Sequence, residues 1–332
     1  MSAPDPIRIG ILGAANIAPK ALIDPARKLD SVVVSRVAAR DPERARTFAM
    51  EHGVSGVEAD YQALITSDAV DVVYNPLPMS EHAQWTIAAL GGGKDVFCEK
   101  PFAANASEAR AMVDAAEESG RILVEAFHYR YHPLFLRILD LVRSGTIGEI
   151  QRVEGRFAVP IVAEGNIRYS WELAGGSLMD LGCYPTSWVR HIVGEEPEVV
   201  SASAIEGPPH IDISMDAELR FPSGTTGHVH CSMDPACSRD IQLTVEGTSG
   251  RIEAINPMAP QMGNRLTITT ARGTTAGPVE GGVSYEHQLR AFVDHLRHGT
   301  PFPTQGADSI GNMTAIDAMY RAAGLPVRGT VL

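Results

Sequence analysis

Three stretches of this chain hold residue types that can do chemistry at spacings that suit it. The first is Cys98-Glu99-Lys100-Pro101-Phe102, in which Glu99 and Lys100 close the apolar, strand-like run Val96-Phe97-Cys98. A lysine at the carboxyl end of a strand in a nucleotide-type α/β sheet points into the crevice where ligands sit. The second is Gly175-Gly176-Ser177-Leu178-Met179-Asp180-Leu181-Gly182-Cys183-Tyr184-Pro185, with Asp180 and Tyr184 four residues apart. On a helix these two share a face one turn apart, and the glycines around them admit a ligand or another backbone. A buried structural pair, the phenol satisfying the carboxylate, would use the same spacing. The third is Gly13-Ala14-Ala15-Asn16-Ile17-Ala18, directly after the aliphatic run of residues 7–12. Of the dinucleotide fingerprint G-x-G-x-x-G only Gly13 survives, with Ala15 and Ala18 at the other two positions. Alanine at the third position still allows helix to pack on strand, while Ala15 leaves less room for a pyrophosphate.

These residues need a scaffold. Apolar runs at 7–12, 32–39, 70–74, 94–98 and 121–126 alternate with helix-compatible stretches, which predicts a parallel, doubly wound α/β sheet of Rossmann type over residues 1–126. All carboxyl ends of such a sheet lie on one edge, so Gly13 to Ile17, Arg40, Pro76-Leu77-Pro78, Glu99-Lys100 and Phe127-His128-Tyr129-Arg130 become neighbours. Prolines 76 and 78 would stiffen a loop beside a flat ring such as nicotinamide, or simply end a strand. His82 follows that loop, in a position that suits a cap or a core histidine as well as a ligand contact. The second strand ends in Ala39-Arg40 with no acidic residue, which favours NADP over NAD; Asp41 as a displaced ribose ligand keeps NAD open. Beyond residue 126 the texture changes to alternating runs separated by Gly, Pro, Ser and Asp. Residues 127–332 therefore read as an α+β domain with a large, open, mostly antiparallel sheet, whose free face suits an oligomer contact.

Composition excludes several classes. The chain has 332 residues, 44% hydrophobic and 20% charged, with no apolar run long enough to cross a bilayer. Its first residues lack the order of a signal peptide, so a cytoplasmic location is the default expectation. A net charge of -12 argues against nucleic acid or an anionic membrane as main partner. The cysteines at 98, 183, 231 and 237 lack the spacing of a zinc site or a disulfide framework, and no metal is expected.

The Glu-Lys-Pro at 99–101, the Gly13 turn and the Gly-Gly-x-x-x-Asp-x-Gly-x-Tyr segment together resemble the Gfo/Idh/MocA family of glucose-fructose oxidoreductase and inositol dehydrogenase relatives. The likeness extends to Tyr74-Asn75-Pro76-Leu77-Pro78 with His82, to residues 125–133, to Ile147-Gly148-Glu149-Ile150 and to the closing stretch 292–322. It implies a Rossmann domain followed by an α/β domain that builds homodimers or homotetramers, and oxidation or reduction of one carbinol carbon of a sugar, ketosugar or cyclic diol. It carries Lys100 and Asp180 over to substrate-binding and catalytic positions, and implies a cis Lys100-Pro101 bond. Tyr184 falls where inositol dehydrogenases have histidine, which is similar to the branch of dihydrodiol and xylose dehydrogenases and deoxysugar ketoreductases.

Hydride transfer at a carbinol carbon requires a proton to leave or reach the oxygen. Tyr184 is expected as the general acid/base, Lys100 as the cation that lowers its pKa and polarises the carbonyl, and Asp180 as orienter of Lys100 or of a substrate hydroxyl. Direct donation by Lys100 is the competing assignment. Expected cofactor contacts are Gly13, Ala15, Asn16, Ile17, Arg40, Pro76, Leu77, His82, Glu99 and Lys100. Expected substrate contacts, in a pocket between the domains, are Phe127, Tyr129, Arg130, Arg168 and Asp180, with Arg168 equally able to form a surface ion pair. A redox-neutral glycosidase using retained NAD, or a non-catalytic NADP-binding regulator, would use the same scaffold.

Overall fold

The computed structural model describes residues 5–329; the outermost residues, including most of the terminus read above for a leader, lie outside that range. The chain forms two compact units. The first comprises residues up to 103 with 107–127 and 285–309, and the second comprises 104–106, 128–284 and residues from 310 onward. The units are therefore not the contiguous halves that the change of texture at residue 126 suggests, because 285–309 return to the first.

The first unit is built on β1 (Ile7–Leu12), β2 (Val32–Ala38), β3 (Gly56–Val57), β4 (Val72–Asn75), β5 (Asp95–Cys98) and β6 (Leu123–Glu125), in the order β3-β2-β1-β4-β5-β6 and parallel throughout. Its central strands are buried almost end to end, as expected when both faces of a parallel sheet are covered. The order reverses between β1 and β4, so the ends of these two strands flank the switch point where such sheets take ligands. After β1 a π turn (Pro19–Ile23) runs into α1 (Asp24–Ala26), where Pro25 has no N–H to close the normal ladder. Helix α2 (Pro42–His52) starts on Asp41, whose carboxylate accepts the Glu43 N–H at 2.9 Å, and stops at Gly53 with φ 67°. Helices α3 (Tyr61–Thr66), α4 (His82–Gly91) and α5 (Ala106–Ser119) complete the strand connections. In the returning segment Phe292 stacks on Phe97 of β5 with centroids 4.8 Å apart, and Thr304 accepts the Glu125 N–H of β6 at its carbonyl and donates from its hydroxyl to Glu125 O at 2.7 Å.

The second unit holds α6 (Pro133–Arg143) and an eight-stranded sheet: β7 (Ile150–Ala158), β8 (Glu198–Glu206), β9 (Asp212–Arg220), β10 (Thr226–Ser232), β11 (Asp240–Gly247), β12 (Gly250–Ile255), β13 (Arg265–Thr270) and β14 (Gly273–Gly277). The order is β14-β13-β12-β11-β7-β10-β9-β8, antiparallel except where β7 meets β10. Strand β7 turns Val153, Gly155 and Phe157 inward and Arg152, Glu154 and Arg156 outward, the alternation of a one-sided sheet. On the outward face Arg152 bridges Glu154 at 2.6 Å and Glu218 at 3.3 Å, and Arg156 pairs with Asp240 at 2.7 Å. The inward face receives α7 (Cys183–Val193), which continues a π turn (Leu178–Gly182). Pro185 lies in the first turn of α7 and again supplies no N–H, which accounts for the widened turn ahead of it. Helices α8 (Ser284–His298) and α9 (Ala307–Ala322) close the chain.

Close approach of α7 to the sheet depends on glycine. A Cβ on Gly155 would lie 2.7 Å from Pro185 Cβ, and one on Gly182 would lie 2.7 Å from Cys231 Sγ. Gly155→Val should therefore lower stability by about 1–3 kcal/mol, the usual range for forcing extra carbons into a packed core. Calorimetry should read this as a drop in Tm, and an unchanged Tm would show that α7 yields freely.

Candidate active site

In the first unit the turn after β1 is shaped around Gly13. Its φ is +81°, its N–H donates to Ala38 O at 2.7 Å, and a Cβ there would lie 2.9 Å from Leu77 Cδ2. Any side chain at 13 would both strain the backbone and push Leu77 out of the β4 loop. Beyond it the N–H groups of residues 14–17 find no acceptor among the described residues, while Asn16 is exposed and Ala15 and Ile17 half-buried. A run of bare N–H groups ahead of a helical turn is an anion cradle. Arg40 follows β2 and is exposed. Arg44, one helical turn along α2, reaches back to donate from Nη2 to Ala14 O at 2.9 Å. Beneath them the buried Tyr61 phenol has its pKa raised by burial, against the opposing charges of Arg40 and Arg44. Bare amides at the turn, two arginines nearby and Asp41 engaged as a helix cap fit a dinucleotide that carries an extra phosphate on its ribose.

The ends of β4 and β5 are joined by His82. Its ring has no exposed surface, with Nδ1 3.0 Å from Pro101 O and Nε2 2.8 Å from Leu77 O. The residue expected at the cofactor surface thus sits behind it, clamping the Pro76-Leu77-Pro78 loop to the Lys100-Pro101 bond, which is cis. Glu99 is buried beside it, accepting from the Tyr74 hydroxyl at 2.7 Å and the Lys100 N–H at 3.3 Å. Burial, and then the charge of Glu99, push the Tyr74 and Tyr285 phenols up, so both stay protonated. Lys100 itself is half-buried.

In the second unit Asp180 lies in the π turn and Tyr184 opens α7, so the pair does share the helical face that its spacing predicts. Arg168 Nε donates to Asp180 Oδ2 at 2.5 Å, and this carboxylate, first among the causes, raises the guanidinium pKa. The arginine is therefore in an ion pair, but with another candidate residue and partly buried. The loop that carries it is pinned by Tyr169, whose hydroxyl lies 3.0 Å from Ile161 O and 3.1 Å from Met233 O. Tyr184 is 5% exposed, with its hydroxyl 3.2 Å from His128 Nε2. Among the other expected substrate contacts, Phe127 and Tyr129 have no exposed surface. The Tyr129 hydroxyl is occupied by Ser187 Oγ at 2.7 Å and His191 Nδ1 at 3.0 Å, while the half-buried Arg130 lies 5.7 Å from the Phe135 ring centre.

An interior ion pair holds this arrangement. Asp212 and Arg328 are both fully buried and meet at 2.7 Å. The carboxylate also accepts from Ser177 Oγ at 2.8 Å, Leu178 N–H at 2.7 Å and Tyr320 O–H at 2.9 Å. The guanidinium donates to Gly175 O at 2.8 Å and is flanked by Trp171 and Tyr320. Gly176 has φ +137°, and a Cβ on it would lie 2.2 Å from Asp212 Oδ1. Its N–H donates to Arg168 O at 2.9 Å. The pair thus fixes the start of the π turn bearing Asp180 and, through Gly176, the backbone of Arg168.

Sequence reasoning did not single out Arg44, Asp212, Arg328 or Ser284, and His128 was placed at the sheet edge without a role. For Arg44 a signal was present, a second arginine four residues after Arg40, in the first turn of the helix that the Asp41-Pro42 pair opens. Among the described residues no group of three His, Cys, Asp or Glu gathers as a metal site, and no helix is long and apolar enough to cross a membrane.

Two predictions follow from this geometry. Arg328→Ala leaves Asp212 charged, buried and short of a partner, and should cost about 3–5 kcal/mol, measured by urea unfolding; a loss under about 1 kcal/mol would show that the pair carries little. Burial holds the His82 pKa below its ordinary value, against the pull of the Leu77 and Pro101 carbonyls. The unfolded chain then binds the proton more readily, so stability should fall as pH drops below about 6.5. His82→Gln should flatten that slope between about pH 7 and 5, and an equally steep slope in the variant would contradict the assignment.

Comparison with known proteins gives matches along most of the chain. Residues 7–127 match a family model described as an oxidoreductase family with an NAD-binding Rossmann fold, and residues 135–253 match the GFO/IDH/MocA C-terminal domain. D-xylose 1-dehydrogenase (NADP(+)) 2 of Haloferax volcanii is 35% identical over 319 residues, covering 95% of this chain and 96% of its own. A dTDP-3,4-didehydro-2,6-dideoxy-alpha-D-glucose 3-reductase of Streptomyces antibioticus is 31% identical over 327 residues, covering 96% and 98%. Among solved structures, the 3-ketoreductase KijD10 of Actinomadura kijaniata, in complex with NADP and TDP-benzene, superposes with a TM-score of 0.87 at 27% identity over 98% of each chain.

Proposed function

Because this chain belongs to the GFO/IDH/MocA family of oxidoreductases, we propose that it moves a hydride between NADP(H) and one carbinol or carbonyl carbon of a sugar, ketosugar or cyclic diol. The observation that carries this reading is the Tyr184 hydroxyl, nearly buried, hydrogen-bonded to His128 and one turn from Asp180. A phenol so placed can give or take a proton at a reacting oxygen. The xylose dehydrogenase named for NADP(+) and the ketoreductase solved with NADP support the same chemistry.

In this reading the bare amides of residues 14–17 take the pyrophosphate, and Arg40 with Arg44 takes the ribose phosphate. Bound nicotinamide supplies or accepts the hydride. Tyr184 Oη transfers the proton, and the Lys100 ammonium stabilises the phenolate and polarises the carbonyl. Asp180 orients a substrate hydroxyl. With Arg168 already paired to Asp180, this part of the site suits a neutral, hydroxyl-rich ligand better than a phosphate. The open, ion-paired face of the second unit's sheet is read as the surface for a second copy of the chain, and light scattering should give a multiple of the 35.6 kDa monomer mass; a monomer would refute this.

Kinetics with NADP+ or NADPH against aldoses, ketosugars and trans-dihydrodiols test the proposal. Tyr184→Phe and Lys100→Met should each lower kcat by about 100-fold or more, the scale of general acid-base and electrostatic assistance. Near-normal turnover in Tyr184→Phe beside an inactive Lys100→Met would move the proton to the lysine. For the cofactor, Arg40→Ala should weaken NADPH binding far more than NADH binding in a fluorescence titration. An unchanged ratio of dissociation constants would refute the NADP assignment.

A further inference from the structure

The Tyr184 hydroxyl is the inner end of a row of hydrogen bonds whose direction follows from one backbone N–H. At the outer end, one Gln261 side-chain atom lies 3.4 Å from the Ser284 N–H nitrogen and 3.1 Å from the Ser284 hydroxyl. A backbone N–H only donates, so that atom is the amide oxygen, and the Ser284 hydroxyl donates to it as well. With its one proton spent, Ser284 Oγ accepts from His128 Nδ1 at 2.8 Å. A neutral imidazole that donates from Nδ1 is an acceptor at Nε2. Tyr184 O–H therefore donates to Nε2 at 3.2 Å. Tyr184, His128 and Ser284 are 5%, 1% and 0% exposed, whereas Gln261 is at the surface. Within the second unit, α7 presents Tyr184 to His128 and the first residue of α8 presents Ser284.

We infer that this row is a proton relay in which His128 takes the proton of Tyr184, and that its resting polarity primes the enzyme for oxidation of an alcohol. The inference rests on the proposal that Tyr184 meets the reacting oxygen. In oxidation the carbinol C–H bond breaks and its electron pair passes with the hydrogen to NADP+. The carbinol O–H proton passes to Tyr184 Oη as the phenol's own proton moves to His128 Nε2. The products are the carbonyl compound, NADPH and an imidazolium, which returns its Nε2 proton through Tyr184 Oη to solvent once the product has left, so that Nδ1 stays protonated and the resting tautomer is restored. Reduction runs the same transfers backwards and begins from the imidazolium. His128 acts through Tyr184 and is a positioning residue with respect to the substrate. Oxidation should therefore lose rate as falling pH protonates the imidazole, and reduction should lose rate as rising pH deprotonates it.

Nitrogen NMR of the holoenzyme, with the His128 signals assigned by their loss in His128→Asn, reads the tautomer without any turnover. At about pH 8 the inference requires Nδ1 protonated and Nε2 bare, and a proton on Nε2 overturns it. With D-xylose and NADP+ as the probe reaction, wild-type kcat should fall towards acid pH. His128→Asn should lose that limb, with kcat about tenfold or more lower and KM little changed. A limb unchanged in His128→Asn beside an inactive Tyr184→Phe overturns the relay alone. Near-normal turnover in Tyr184→Phe overturns the reading on which it rests.

Discussion

A carboxylate and a guanidinium with no exposed surface, Asp212 and Arg328, set the geometry on which the second unit's chemistry depends. A charge in a dry interior is tolerable only when it is paired and its remaining hydrogen-bonding positions are filled. Asp212 meets that demand with four donors, and the donors it recruits are the ones that matter: Ser177 and Leu178 begin the π turn of Asp180, and Arg328 grips Gly175. Gly176 then has to be glycine, because a Cβ would occupy the carboxylate's place. Its N–H fixes the Arg168 carbonyl, so the partners of the short Arg168–Asp180 contact are held from one anchor. The cost of burying one pair of charges is thereby turned into positional accuracy a few residues away.

The first unit reaches the same end with one imidazole. His82 sets its ring nitrogens 3.0 Å from the Pro101 carbonyl and 2.8 Å from the Leu77 carbonyl, donating its single N–H to one and packing against the other, so the loops after β4 and β5 meet at one side chain. Leu77 in turn fills the space that the missing side chain of Gly13 leaves open. Three strand ends thus share one continuous contact, with the half-buried Lys100 next to Pro101 in it. Hydride handling and proton handling are separable in this account: the first unit shapes the nucleotide's bed, and the second carries Tyr184 with His128 and Ser284 behind it.

Much of this was legible in the sequence, for local reasons. Lys100, Gly13 and Arg40 lie directly after strands, and a parallel sheet places all such residues on one edge. Asp180 and Tyr184 announce themselves by helical spacing. What was not legible depends on contacts between residues far apart in the chain. Asp212 and Arg328 are separated by 116 positions, and His128 and Ser284 by 156. Tyr129 has the look of a pocket aromatic, yet its hydroxyl is satisfied by Ser187 and His191 in the interior. Strand β3 is two residues long and β14 is Gly-Thr-rich and exposed, so neither carries a hydrophobic pattern. The return of residues 285–309 to the first unit is likewise invisible to a texture change at 126.

The central claim is that this chain performs a net hydride transfer on a sugar-like carbinol, with Tyr184 managing the proton. The most direct measurement uses an aldose deuterated at the reacting carbon and isolates the nucleotide and the sugar after NADP+-linked turnover. The account predicts one deuterium on the nicotinamide ring for each carbonyl product formed, with NADPH accumulating in step. Deuterium returned to the sugar with no net NADPH, or bond cleavage at a glycoside with the cofactor unchanged, would contradict it.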